Sequence, residues 1–116
     1  MVGLFDESLK VCEDYDLWLR ISAKLPVIFL DQLLIIKYGG HADQLSRVDS
    51  GIEKYRIQSL EKILSSNILS ISQSKIAISQ LMKKLKIFSN GLEKRNKFKE
   101  LNIYIKKIEF WSKYKP

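Results

Sequence analysis

The segment VIFLDQLLIIKY, residues 27–38, decides what kind of fold this chain is read as. Its two apolar runs, Val27 to Leu30 and Leu33 to Tyr38, are rich in β-branched and aromatic residues, and Asp31-Gln32 separates them. Runs of this length and composition read as short strands. Each is apolar on both faces, so each is expected to be covered on both sides, as in the sheet of an α/β or α+β protein. Gly39-Gly40 breaks the second run, and a polar loop, HADQLSR, follows.

On the N-terminal side, Leu17, Trp18 and Ile21 recur at helical spacing. They predict a helix from Asp14, as N-cap or first-turn acid, to about Ala23, where Pro26 stops it. On the C-terminal side the pattern is helical from about Ser50 to the end. Ile52, Tyr55, Ile57, Leu60, Ile63 and Leu64 mark one amphipathic helix, and Asn67 to Ser72 is a break. Ile76, Ile78, Leu81, Met82 and Leu85 mark a second helix over Ser74 to Phe88. Ser89-Asn90-Gly91 reads as its stop, with glycine as the C-cap. Phe98, Leu101, Ile105, Ile108 and Trp111 mark a third over about Leu92 to Tyr114. The short connection at Gly91 predicts an antiparallel helical hairpin. The expected fold class is therefore α+β and mostly helical: one acidic helix, two short strands, then three helices.

Composition narrows the function classes. The 116 residues suit one domain of ordinary size, and 46% apolar content is enough for a core. No uninterrupted apolar run approaches the ~20 residues of a membrane span, and the opening MVGLFDESLK lacks the pattern of a secretory signal. With Cys12 as the only cysteine there is no internal disulfide, which fits a reducing, cytoplasmic compartment. The net charge of +7 is unevenly placed. Residues 1–50 carry eight acids against five bases, net −3, and residues 51–116 carry five acids against fifteen bases, net +10. A basic half of this kind docks on a partner protein or an anionic membrane surface, or is simply a solvated lysine-rich face. The absence of a glycine-rich or aromatic RNA-binding motif argues against nucleic acid.

Two places carry residue types suited to chemistry. Glu13, Asp14 and Asp16 put three acids into four residues at a helix start. One of them, close to a bound hydroxyl, is placed to act as general base; alternatively all three cap and charge the first turn. His41, the only histidine, follows Gly39-Gly40 with Asp43 nearby. One His with one Asp is a weak metal signal, and an ordinary loop histidine is the simpler reading.

Taken together, these stretches resemble a known family. The run VGLFDESLKVCEDYDLWLRIS, residues 2–22, is similar to the C-terminal catalytic segment of family 2 glycosyltransferases, enzymes with the glycosyltransferase A fold. That family carries a G-x-F-D-E-x-L stretch, an acidic pair, and D-L-W-L-R. Here these are Gly3, Phe5, Asp6, Glu7 and Leu9, then Glu13-Asp14, then Asp16 to Arg20. The continuation, PVIFLDQLLIIKYGGHADQLSR, also resembles the family, where a strand pair leads to a loop histidine.

The resemblance implies a division into residues 1–49, the end of a catalytic domain, and residues 50–116, a helical extension. It implies Asp14 as the catalytic base that deprotonates the acceptor hydroxyl, with Glu13 as the alternative base or a shaper of the acceptor pocket. Asp16 and Arg20 match positions that hold the helix through hydrogen bonds and ion pairs. Trp18 matches a packing or acceptor-stacking position, and His41 the histidine that contacts metal or diphosphate. The implied partners are a nucleotide sugar and an acceptor, with a divalent cation, Mg or Mn, as cofactor. The family's nucleotide-binding half, with its D-x-D, does not precede Val2, and Asp14-Tyr15-Asp16 has those letters in the wrong place. The expectation is thus a chain equivalent to the last third of such an enzyme, inactive alone. Its two strands, without the rest of a sheet, predict self-association into a homo-oligomer.

Overall fold

Helical periodicity in the C-terminal half builds the core. The computed structural model describes residues 2–38 and 51–116, and these described residues form four helices. They are α1 (Glu13–Lys24), α2 (Ile52–Ser65), α3 (Ile71–Lys94) and α4 (Phe98–Lys113). Ile57, Leu60 and Leu64 fall on one face of α2, and Leu81, Leu85, Phe88 and Leu92 on one face of α3. Tyr104 and Trp111 of α4 complete a single buried cluster. Leu81 and Leu85 are fully shielded from solvent, and each such leucine contributes about 1.5–3 kcal/mol. Helix α1 lies on α2, α2 packs on α3, and α3 on α4. Tyr15 and Leu19, one turn apart on α1, reach the edge of the same cluster.

The helix ends explain the connections. Ser70 accepts from the Gln73 N–H at 3.2 Å while the Gln73 side chain accepts from the Ser70 N–H at 2.9 Å, a reciprocal capping box that starts α3. The helix therefore begins at Ile71, inside the break expected over Asn67 to Ser72. The same Gln73 side chain donates to the Ala23 carbonyl at 3.2 Å, satisfying an acceptor in the last turn of α1.

The expected stop at Ser89-Asn90-Gly91 is corrected: α3 runs through it to Lys94. The chain turns instead at Asn96, whose φ of 56° supplies the left-handed residue. The Lys97 N–H donates to the Leu92 carbonyl at 3.0 Å and the Asn96 N–H to the Glu93 carbonyl at 2.9 Å, the Schellman pattern with asparagine in the usual glycine place. Helix α4 consequently begins at Phe98 rather than Leu92. It folds back on α3 as an antiparallel hairpin, with the rings of Phe88 and Tyr104 4.6 Å apart. Glu61 of α2 clamps α4 from the other side, accepting from the Trp111 indole at 2.9 Å and from the Lys107 ammonium at 2.5 Å.

The fold class is also corrected. Among the described residues there is no strand and no sheet; the architecture is helical, and the two short strands expected from the end of a glycosyltransferase A fold are not formed. Residues 26–38 have no regular secondary structure, bend at Gln32, and make no backbone hydrogen bond to another described residue. Nor are their apolar side chains covered: Leu33, Ile35 and Ile36 all stand in solvent. The reason is a missing partner. A strand completes its hydrogen bonds only against another strand edge, and every other regular element described is a helix whose backbone is satisfied internally.

Candidate functional site: the acidic helix

Helix α1 starts at Glu13 behind Cys12, which adopts a left-handed conformation (φ 63°) and provides no side-chain cap. The Cys12 thiol instead donates weakly to the Ile52 carbonyl at 3.8 Å, tying the start of α1 to the start of α2. Burial pushes this thiol up from its ordinary value, and the carboxylates of Asp14 and Glu13 add to the effect against the pull of Arg56. A protonated, half-buried thiol is a poor nucleophile.

The 3.6-residue turn then separates the three acids. Asp16 points inward and is 1% exposed. Its Oδ2 accepts from Arg20 Nε at 2.9 Å, one turn later, and its Oδ1 meets Lys62 Nζ of α2 at 3.0 Å. Arg20 continues the network outward: its guanidinium donates to the carbonyls of Val2 and of Leu4, the latter at 2.8 Å. Gly3, at φ 80°, lets the backbone pass over Arg20; a Cβ there would stand 3.3 Å from Nη1. Lys62 also binds Asp6 at 2.6 Å, and Asp6 closes its own turn by accepting from the N–H and hydroxyl of Ser8. The Lys62 ammonium, with the two bonds from Ser8, holds the Asp6 carboxyl well below the usual carboxylate range. Burial alone would lower Lys62, but its hydrogen bonds to Asp6 and Asp16 outweigh that and raise it. Asp6, Asp16, Arg20 and Lys62 thus fasten the N-terminal segment, α1 and α2 together.

Asp14 lies on the opposite side of α1. It is exposed, and its Oδ1 accepts from the following Tyr15 N–H at 2.7 Å. Trp18, one turn on and 60% exposed, shares that solvent face. Glu13, the first helical residue, is partly exposed. Tyr15 turns inward instead, with Arg56 and Lys84 about 6 Å from its ring. Those two bases are held by Glu53, at 2.7 Å and 3.1 Å. His41 and Asp43 lie outside the described residues.

Glu13 and Asp14 share neither of two nearby clefts. One, of 200 Å³, lies beneath α1 between Tyr15, Leu19, Leu60, Ile63 and Ala77. The larger, of 580 Å³, runs between α2 and α4 past Lys54, Glu61, Glu100 and Lys107. Among the described residues no three His, Cys, Asp or Glu side chains gather to hold a metal ion. Asp6 and Asp16 cannot begin such a group, because both face Lys62. No helix among them is long and apolar enough to cross a membrane.

The i, i+4 spacing of Asp16 and Arg20 is visible in the sequence. Lys62 and the carbonyls of Val2 and Leu4 were not, since nothing local links position 62 to position 16.

Curated relatives match part of the chain. An uncharacterized glycosyltransferase of Rickettsia conorii is 41% identical over 46 residues, 40% of this chain and 8% of that protein. Another, from Rickettsia bellii, is 41% identical over 46 residues, 6% of its length. A third, from Rickettsia prowazekii, is 46% identical over 43 residues, 37% of this chain and 13% of its own length. The matched stretch is therefore a small part of each relative. No family model matches the chain, and no solved structure does.

Proposed function

We propose that the segment containing α1 is the acceptor-side, catalytic-base part of a nucleotide-sugar-dependent glycosyltransferase of family 2, with Asp14 as the base. The observation that carries this reading is the separation of acids around α1. Asp16 is committed to Arg20 and Lys62, whereas Asp14 faces solvent beside Trp18, with one oxygen on a backbone N–H. The partial relatives named glycosyltransferases support the same class.

In this mechanism the Asp14 carboxylate takes the proton of the acceptor hydroxyl as its oxygen attacks the anomeric carbon of the donor. The bond to the nucleoside diphosphate breaks with inversion; a divalent cation, where bound, would supply charge compensation for the leaving group. Glu13 shapes the acceptor site, Trp18 offers an aromatic face to the sugar, and Asp16 and Arg20 are positioning residues. His41 is the residue assigned to the metal or diphosphate. The donor sugar is read by chemistry beyond this segment.

The reading is tested by titrating the chain with acceptor sugars while following the two indole resonances by NMR. Acceptor binding is expected to move Trp18 and leave buried Trp111 unchanged. In a chain that supports transfer, Asp14→Asn is expected to lower kcat by at least about 100-fold with little change in folding. Full turnover by Asp14→Asn would overturn the assignment.

A further inference from the structure

The segment that fails to form strands within one chain has a self-complementary sequence. We propose that residues 30–38 form the contact of a two-fold dimer, in which this segment lies antiparallel to the same segment of a second copy with Leu34 on the axis.

Three observations carry the proposal. First, the side chains are apolar and exposed: Leu33 is 103% exposed, Ile35 84% and Ile36 79%, and Leu30, Leu34 and Tyr38 accompany them. A continuous exposed run of this kind marks an interaction surface. Second, the backbone of residues 26–38 makes no hydrogen bond to another described residue, so it presents a row of donors and acceptors to an incoming edge. Third, the charges select a second copy as the occupant. Asp31 and Lys37 are the only charged residues between Val27 and Tyr38, and among the described residues neither has an ion-pair partner in its own chain.

Antiparallel pairing centred on Leu34 sets Asp31 of each copy opposite Lys37 of the other. It sets Leu33 opposite Ile35 and Leu30 opposite Tyr38. Any other two-fold register separates the two charges. Along the segment, side chains alternate between faces. One face then carries Asp31, Leu33, Ile35 and Lys37, an apolar centre bracketed by two ion pairs. The other carries Leu30, Gln32, Leu34, Ile36 and Tyr38. Opposite charges directly across an antiparallel pair stabilise it and like charges oppose it. The pairing straightens the bend at Gln32 and exists only between two chains, so it adds no strand to the single one. It is independent of the transferase reading, since Asp14 and Trp18 play no part in it.

Sedimentation velocity of the full chain, from micromolar to near-millimolar concentration, is expected to show a monomer–dimer equilibrium that stops at the dimer. Asp31→Lys or Lys37→Asp alone is expected to raise the dissociation constant about fivefold, and the double exchange to restore it. Leu34→Cys in a Cys12→Ser background is expected to oxidise to a covalent dimer, because residues facing each other across the axis come within disulfide reach. Leu34→Pro is expected to abolish the dimer while leaving helical circular dichroism unchanged, since the segment lies outside the core. A strict monomer throughout, open-ended growth, or charge reversals without effect would each overturn the proposal, as would a persistent dimer that Leu34→Cys fails to cross-link.

Discussion

Two apolar regions of this chain meet opposite fates. In α3, Leu81, Leu85, Phe88 and Leu92 are buried; in residues 27–38, Val27, Ile28, Leu33 and Ile35 are exposed. The exposed region is the more apolar of the two, with nine such residues in twelve against ten in the twenty-four of α3, so hydrophobicity does not decide which is buried. The difference is what each backbone needs before its side chains are able to pack. Helix α3 satisfies its own peptide groups, which leaves its apolar stripe free to meet α2 and α4. The 27–38 segment must first find an edge, and no described element offers one.

The comparison is broken most directly by equal truncations in both regions. Leu85→Ala leaves a cavity at the centre of the helical cluster and is expected to cost about 2–5 kcal/mol of unfolding free energy. Leu33→Ala removes a side chain already in solvent and is expected to change monomer stability by less than about 0.5 kcal/mol. Urea denaturation of both variants under monomeric conditions decides the matter. A large loss from Leu33→Ala would mean that the segment packs against its own chain.

Helix α1 lies at the border of the two regions, and its faces should divide in the same way. Asp16→Ala leaves Arg20 and Lys62 facing each other across an empty site. Both cations retain access to water, 16% and 45% of each side chain, so the expected loss is about 2 kcal/mol rather than the larger penalty of a sealed pair. Asp14→Ala on the outer face is expected to stay within about 0.5 kcal/mol. Thermal melts of the pair check this. If Asp14→Ala proved the more damaging, the separation of roles around α1 would be lost.

Alkaline titration probes the buried side of the comparison. Burial, with Glu100 and Glu61 nearby, pushes the Tyr104 phenol up to about 12 from its ordinary value of 10. The folded state therefore holds the Tyr104 proton more tightly than the unfolded state does. The stability linked to this group is complete below pH 10 and is lost as pH rises from 10 towards 12. Tyr104→Phe is expected to move alkaline unfolding to higher pH, because the ring stays against Phe88 and the titrating group is gone. Circular dichroism across an alkaline series reads the shift.

These contrasts also mark what was legible in the sequence. The core of α2 and α3 was legible, because Leu60, Leu64, Leu81 and Leu85 recur at the helical period. The three-into-four crowding of Glu13, Asp14 and Asp16 was equally plain, and so was the Asp16–Arg20 spacing. What could not be read was a relation between distant positions. Lys62 closes the Asp6–Asp16 network from another helix. The strands were inferred from residues that favour extended backbone, but composition states a preference conditional on a partner and does not supply one. The hairpin turn was misplaced for a local reason: Ser89-Asn90-Gly91 has the letters of a helix stop, while the actual stop uses Asn96 in the left-handed region.

That last point has its own test, with the smallest expected effect. Gly91 sits inside α3, where glycine costs about 1 kcal/mol relative to alanine. A Cβ at this position would come no nearer than 3.4 Å to the Arg95 guanidinium, ordinary contact with the far end of a flexible side chain. Gly91→Ala is therefore expected to stabilise the chain by about 0.5–1 kcal/mol, read as a higher melting temperature. A glycine holding a left-handed C-cap would give the opposite sign, because alanine is strained there. Asn96→Gly provides the complementary check. At φ 56° the substitution removes a side chain from a conformation glycine adopts freely, so the turn is expected to survive it. A destabilised Gly91→Ala variant would move the helix stop back to Ser89-Asn90-Gly91. It would also detach the Leu92 carbonyl from the Schellman turn that directs α4 onto α3.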